Sequence, residues 1–347
     1  MPTFTSAVSS RFSSTRAALL TTALLATVVT TVATTVVTTA VAAPAAASPS
    51  AAPRPPKIPA GTAASYVVFD RVTGRTTLSY KPHVRFRSAS VVKVLIALDY
   101  LESRKSGTAM PPGDADLLRR MLRASDDDAA TAFWNRGGRA AIIDRVVRRL
   151  KLVDTGPPPA SKPGFWGYTA LSASDVVKTY RYLLERANPA VRDVILGHLS
   201  NATRCAADDF DQYFGIPSAV PRPWAVKQGW SGYGAHPAVP CSGTQASGRA
   251  PASDAGITGA SSATLAPGTA ADAATAARES TPASSASPAR PPVNLARPVL
   301  HTTGLAGKGD RLIMAVLTLQ PAGASYTSSA ARLTALAREA YRAGLPR

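Results

Sequence analysis

Ser90-Val91-Val92-Lys93-Val94-Leu95-Ile96-Ala97-Leu98 opens an almost unbroken apolar segment that runs to Leu101. It is long enough for a helix and apolar on most faces, so it predicts a buried helix. Ser90 and Lys93 stand one turn apart, on one face, at the start of that helix. A serine hydroxyl needs a base to attack a carbonyl, and a lysine serves only if its pKa falls from about 10.4 toward about 7–8. The apolar neighbours of Lys93 supply the desolvation, and the helix N-terminus supplies N–H groups where an oxyanion would form. By itself the pair is weak, since a Ser-x-x-Lys match is expected on the order of once by chance in such a chain. An N-capping serine followed by a snorkelling lysine reads equally well.

Upstream, Tyr66-Val67-Val68-Phe69, a turn through Gly74, and the stretch from Thr76 to Tyr80 predict a hairpin. Downstream, helical patterns cover 115–123, 128–134, 140–150, 174–185 and 190–199, making about 90–215 an all-helical block. Strand character returns at 223–230, 299–305 and 311–319, and a final helix at about 327–343 carries Leu333, Leu336, Ala337, Ala340 and Tyr341 on one face. This order predicts an α/β (α+β) fold: an antiparallel five-stranded sheet, an inserted all-helical domain, and a C-terminal helix packed on the sheet. The catalytic domain is placed at 64–343. The Ala/Ser/Thr/Gly/Pro stretch at about 242–298 is far longer than an ordinary loop and reads as a disordered insertion. Deleting about 248–289 is therefore expected to leave thermal stability intact, and a large fall in melting temperature would show that the segment packs on the domain.

Two further clusters give the first one meaning. Ser125-Asp126-Asp127 precedes the helical segment at 128–134, and Lys227-Gln228-Gly229-Trp230 lies on the third strand. The order Ser-x-x-Lys, Ser-Asp-x, Lys-x-Gly on helix, helical-domain loop and strand resembles the β-lactamase and penicillin-binding protein superfamily over roughly 64–235 and 299–343. The resemblance implies a β-lactamase/transpeptidase-like fold and a serine hydrolase, with Ser90 acylated, Lys93 activating it and Ser125 passing a proton to the leaving nitrogen. It also implies that Asp127, Lys227, Gln228, Gly229 and Trp230 border the substrate, with the N–H groups of Ser90 and Trp230 as oxyanion hole. Its expected substrates are β-lactams or peptidoglycan-like amides. Taken without the family, Ser125 to Asp127 also reads as a helix cap, and Lys227 as an exposed strand lysine.

Three departures qualify the resemblance. The family has Asn where this chain has Asp127, and Thr or Ser where it has Gln228. Asp127 beside Lys93 would favour the ammonium form, and Gln228 lacks the short hydroxyl that touches a substrate carboxylate. Class A β-lactamases also carry a loop Glu that activates the hydrolytic water, whereas no acidic residue stands between Asp154 and Asp175 here. Slow deacylation follows. No Gly-x-Ser-x-Gly elbow offers a rival mechanism, and His83, His198, His236 and His301 stand in unrelated contexts, although His301 lies on a strand close enough to face a cleft.

Arg11 and Arg16 precede an uncharged run from Ala17 to Ala43 that ends in Ala40-Val41-Ala42, which predicts a signal peptide over 1–42, or an uncleaved N-terminal anchor. Residues 43–63 read as a disordered Ala/Pro-rich linker. The domain is thus expected to be secreted or extracytoplasmic. No Cys follows the run, so lipidation of an N-terminal Cys is not expected. Cys205 and Cys241, an even count in an exported protein, are expected to pair, with two buried thiols as the alternative. No cofactor and no metal are expected, because nothing places Cys with His or Asp at ligand spacing. The +18 net charge predicts attraction to an anionic cell envelope, while no stacking pattern or finger spacing supports nucleic-acid binding. A monomer is expected. A catalytically silent envelope-binding protein on the same fold is the alternative function.

Overall fold

A computed structural model describes residues 55–104, 108–242 and 293–346. The expected signal segment, most of the expected linker and most of the expected insertion lie outside the described residues. Strands β1 (Ala63–Asp70) and β2 (Arg75–Tyr80) form the predicted hairpin, and β3 (Phe86–Arg87) leads into a single 3-10 turn, Ala89–Val92. The helical lobe follows: α1 (Lys93–Glu102), α2 (Pro112–Arg123), α3 (Asp127–Arg136), α4 (Ala140–Leu150), α5 (Ala173–Glu185) and α6 (Pro189–Ser200). It also carries β4 (Ala170–Leu171), which pairs with β3, and Ser88 N donates to Thr169 O at 2.7 Å beside it. That short ladder ties the loop after α4 to the approach to Ser90.

A short α7 (Ile216–Ala219) returns the chain to the sheet, where β5 (Trp224–Ser231), β6 (Val299–Ala306) and β7 (Leu312–Leu319) precede α8 (Tyr326–Gly344). The sheet order is β2-β1-β7-β6-β5, antiparallel throughout, so the fold is the antiparallel five-stranded sheet with inserted helices and a packed terminal helix. Alternation along each strand feeds two cores. Val67, Phe69, Leu305, Ile313 and Leu317 pack with the helical lobe. Tyr66, Val68, Leu300, Met314 and Val316 pack with Leu333, Leu336, Ala337 and Ala340 of α8. Because both faces are covered, β1 is buried along almost its whole length, and β5 is left as the edge strand that meets the Ser90 turn.

Cys205 and Cys241 are joined, with Cα atoms 5.5 Å apart. The bond ties the loop after α6 to the segment after β5, and Cys241 N donates to Asp209 O at 2.8 Å alongside it. A 36-residue separation corresponds to about 3–4 kcal/mol on the loop-entropy relation. Reduction of the native protein is expected to lower Tm by several degrees, measured by thermal unfolding with and without dithiothreitol.

Candidate active site

Ser90 sits in the 3-10 turn just before α1, held by Val91 N donating to Ser88 O at 3.1 Å. Ala89, immediately before it, is in the left-handed region at φ +44°, as is Ser125 at φ +57°; non-glycine residues held this way cluster at functional sites. Lys93 is wholly buried. Its Nζ donates to Asp127 Oδ1 at 2.5 Å, to Ser125 O at 2.5 Å and to Ser125 Oγ at 3.3 Å. Burial depresses the Lys93 pKa below the usual lysine value, and the Asp127 carboxylate opposes this without reversing it.

Lys227 on β5 approaches the same hydroxyl from the other side, donating to Ser125 Oγ at 2.8 Å and to Gln228 O at 3.0 Å. Its pKa is held well below normal by burial first and then by the charge of Lys93. Ser125 Oγ therefore lies between two buried amines. The capping work in this segment falls to Asp126, whose side chain accepts from Ala129 N at 2.8 Å and is also paired with Arg120. This frees Ser125 from the capping role that the sequence left open.

Gly229 explains how β5 comes close enough. A Cβ there would lie 3.0 Å from Ser88 O, 3.1 Å from Val91 Cγ2 and 3.2 Å from Ser90 N. Gly229→Ala is expected to push β5 off the serine turn, with a stability loss of about 1–3 kcal/mol. The check is urea unfolding, which reads that loss directly.

One expected contact is corrected. Gln228 is buried on the opposite face of β5, where its amide donates to Gln212 O at 3.3 Å and to Phe214 O, so its side chain does not border the cleft beside Ser90. Strand alternation dictates this, because Lys227 and Gly229 already face the serine. Trp230 does border the cleft, and its indole donates to Asp208 Oδ2 at 3.0 Å. His301 does not: its Nε2 pairs with Arg87 O at 2.9 Å and its Nδ1 accepts from Thr318 N at 3.2 Å. Burial lowers its pKa to about 4, so it is a neutral structural group.

The loop after α4 forms the facing wall. Trp166 stacks over Lys93 Nζ at 4.8 Å and donates from its indole to Thr131 Oγ1 at 3.2 Å, and Tyr168 lies beside it. The acids that flank this loop are spent. Asp175 accepts from the backbones of Val153, Asp154 and Thr155, while Asp154 is bonded to His83 and Ser172. Ser90, Asp127, Trp166, Tyr168, Asp208 and Trp230 together border a cleft of about 400 Å³. Asp208 was invisible in the sequence as a site residue. It belongs to no motif, and only the pairing of Cys205 with Cys241 hinted that its loop is fixed against β5.

This arrangement of sheet, helical lobe and serine turn is the fold of the β-lactamases and penicillin-binding proteins. A class A β-lactamase from Mycobacterium abscessus superposes with a TM-score of 0.50 at 17% identity, covering 82% of this chain and 94% of that one. A β-lactamase from Sphaerobacter thermophilus gives 0.51 at 14% identity, covering 83% and 94%. A mutant of the penicillin-binding protein PBP-A, solved as an acyl-enzyme complex with penicillin G, gives 0.51 at 13% identity, covering 82% and 90%. No known protein-family model matches the chain. In sequence it is 37% identical over 175 residues to proteins of Mycobacterium bovis and Mycobacterium tuberculosis named "Putative lipoprotein LppW", a match covering 49% of this chain and 54% of theirs. The chain thus spans about half the length of the curated relatives it matches.

Proposed function

We propose that the protein is an exported serine hydrolase that forms a Ser90 acyl-enzyme with β-lactam or peptidoglycan-like amides and releases it slowly. The observation that carries this reading is the placement of Ser125 Oγ between Lys93 and Lys227, both buried, beside the Ser90 turn. In this reading neutral Lys93 takes the Ser90 proton as Oγ bonds to the acyl carbon. The oxyanion gathers the backbone N–H groups of Ser90 and Trp230. The proton then passes from Lys93 through the Ser125 hydroxyl to the leaving nitrogen as the C–N bond breaks, and Lys227 holds the positive field that orients Ser125. Water later returns the acyl group as a carboxylic acid. Export is supported by the N-terminal pattern and by the lipoprotein name of the mycobacterial relatives. Among the described residues no helix is long and apolar enough to cross a membrane. The basic charge fits an anionic envelope as the surrounding surface.

A second reading, a catalytically silent binding protein on the same fold, draws on the hydrogen bonds of Lys93, which go to Ser125 and Asp127. Labelling with a fluorescent penicillin separates the two. Covalent label lost in Ser90→Ala supports the hydrolase, and absence of label from the unsubstituted protein supports the binding protein.

A further inference from the structure

The amine assigned as base has no exposed surface, although it stands beside an open cleft. Lys93 is 0% exposed, while Ser90 and the Asp127 carboxylate that accepts from its Nζ both border that cleft. An aromatic ring lies between. Trp166 borders the same cleft and places its ring centroid 4.8 Å from Lys93 Nζ. A water touching the ring on one side and bonded to the amine on the other would need a separation of roughly 6 Å, so none fits between them.

The ring is anchored at both ends. Its indole donates to Thr131 Oγ1 on α3 at 3.2 Å. Behind it, the 3-10 turn Trp166–Tyr168 is pinned to the segment that delivers Ser90, because Ser88 Oγ donates to Gly167 O at 3.3 Å and Ser88 N to Thr169 O at 2.7 Å. A Cβ at Gly167 would lie 3.7 Å from Ala89 Cα, so the two turns are in contact. The consequence falls on the second half of the reaction. Once Ser125 has passed the proton to the leaving nitrogen, Lys93 is neutral again and its lone pair is basic. For hydrolysis that lone pair would have to stand within about 3 Å of the attacking water. It would take one water proton as the water oxygen bonds to the ester carbon, and return it to Ser90 Oγ as the C–O bond breaks. A ring over the amine denies water that position.

We propose that Trp166 is a positioning residue that closes the cleft side of Lys93, so that the amine serves the Ser90 proton and not a hydrolytic water. This deepens the hydrolase reading and rests on it for the reaction. The shielding itself needs no turnover, so it can be measured apart from catalysis.

Shielding is read by reductive methylation of the full chain with formaldehyde and cyanoborohydride, followed by peptide mass mapping. Lys81 and Lys151, both exposed, report the reagent, and buried Lys227, which meets the same Ser125 hydroxyl, reports the integrity of the core. Lys93 is expected to stay unmodified in the unsubstituted protein and in Trp166→Phe, which keeps a ring. In Trp166→Ala it is expected to react at least about tenfold faster, with Lys227 still protected. With a β-lactam, the Ser90 adduct is expected to be at least about tenfold shorter-lived in Trp166→Ala than in the other two proteins, while its rate of formation changes by less. Thr131→Val removes only the anchor of the indole; it is expected to move both readouts in the same direction by a smaller factor, and it carries the test if Trp166→Ala does not fold. Equal protection of Lys93 with and without the ring, methylation of Lys227 together with Lys93, or an adduct equally long-lived after loss of the ring overturns the proposal. Absence of any adduct, with Lys93 protection still lost with the ring, overturns the hydrolase reading alone.

Discussion

On mixing with excess β-lactam, the protein is expected to take up one acyl group at Ser90 and to keep it long enough for intact-mass measurement, while bulk turnover stays slow. The expectation follows from unequal provision for the two halves of the reaction. For acylation there are a serine on a buried turn, a buried lysine and a hydroxyl between two amines. Deacylation needs a base for water, and general-base catalysis is worth typically about 10²–10⁴-fold. No carboxylate lies on the loop between Asp154 and Asp175, and those two flanking acids are consumed by His83, Ser172 and backbone N–H groups. Asp127 is held by Lys93. Ser90→Ala is expected to show no adduct at all. Rapid multiple turnover would instead assign water activation to Lys93, Asp127 or Asp208, and would overturn this reading of the loop.

The order of elements was legible because each announces itself by period: alternation in β1, an apolar run in α1, a 3.6-residue stripe in α8. Ser90, Lys93, Ser125 and Lys227 could be nominated because their motifs depend on short spacings that local structure preserves. That Lys93 and Lys227 meet on the Ser125 hydroxyl depends on β5 meeting the serine turn, which no local pattern encodes, although Gly229 is its sequence trace. The direction of Gln228 was readable in principle from strand alternation once Lys227 was assigned to the cleft. Asp208 was not, since it is brought in by a disulfide-tethered loop with neither periodicity nor motif. The choice between Ser125 and Asp126 as cap could be settled only by backbone geometry, because either side chain suits the position.

Lys93→Met is expected to slow acylation by about 10²–10⁴-fold while leaving Tm unchanged or higher. The amine is fully buried, and burial holds its pKa below the ordinary lysine value of 10.5. Between the folded pKa and 10.5 the unfolded chain binds more protons than the native one, so this lysine's contribution to stability rises with pH across that window and is unfavourable below it. Methionine fills a similar volume without that penalty. Its former partner is not stranded, because the Asp127 side chain is 68% exposed and can be solvated. The Ser125 carbonyl loses a donor, at about 1 kcal/mol, which offsets part of the gain. The pH dependence separates catalysis from packing. Acylation by the unsubstituted protein is expected to rise with pH through the depressed Lys93 pKa, whereas the Met variant should lose that limb and also lose the rise in stability toward pH 10.5. A large fall in Tm with the pH–rate limb intact would show that Lys93 serves the core and that the base lies elsewhere, with Lys227 the remaining buried amine on Ser125.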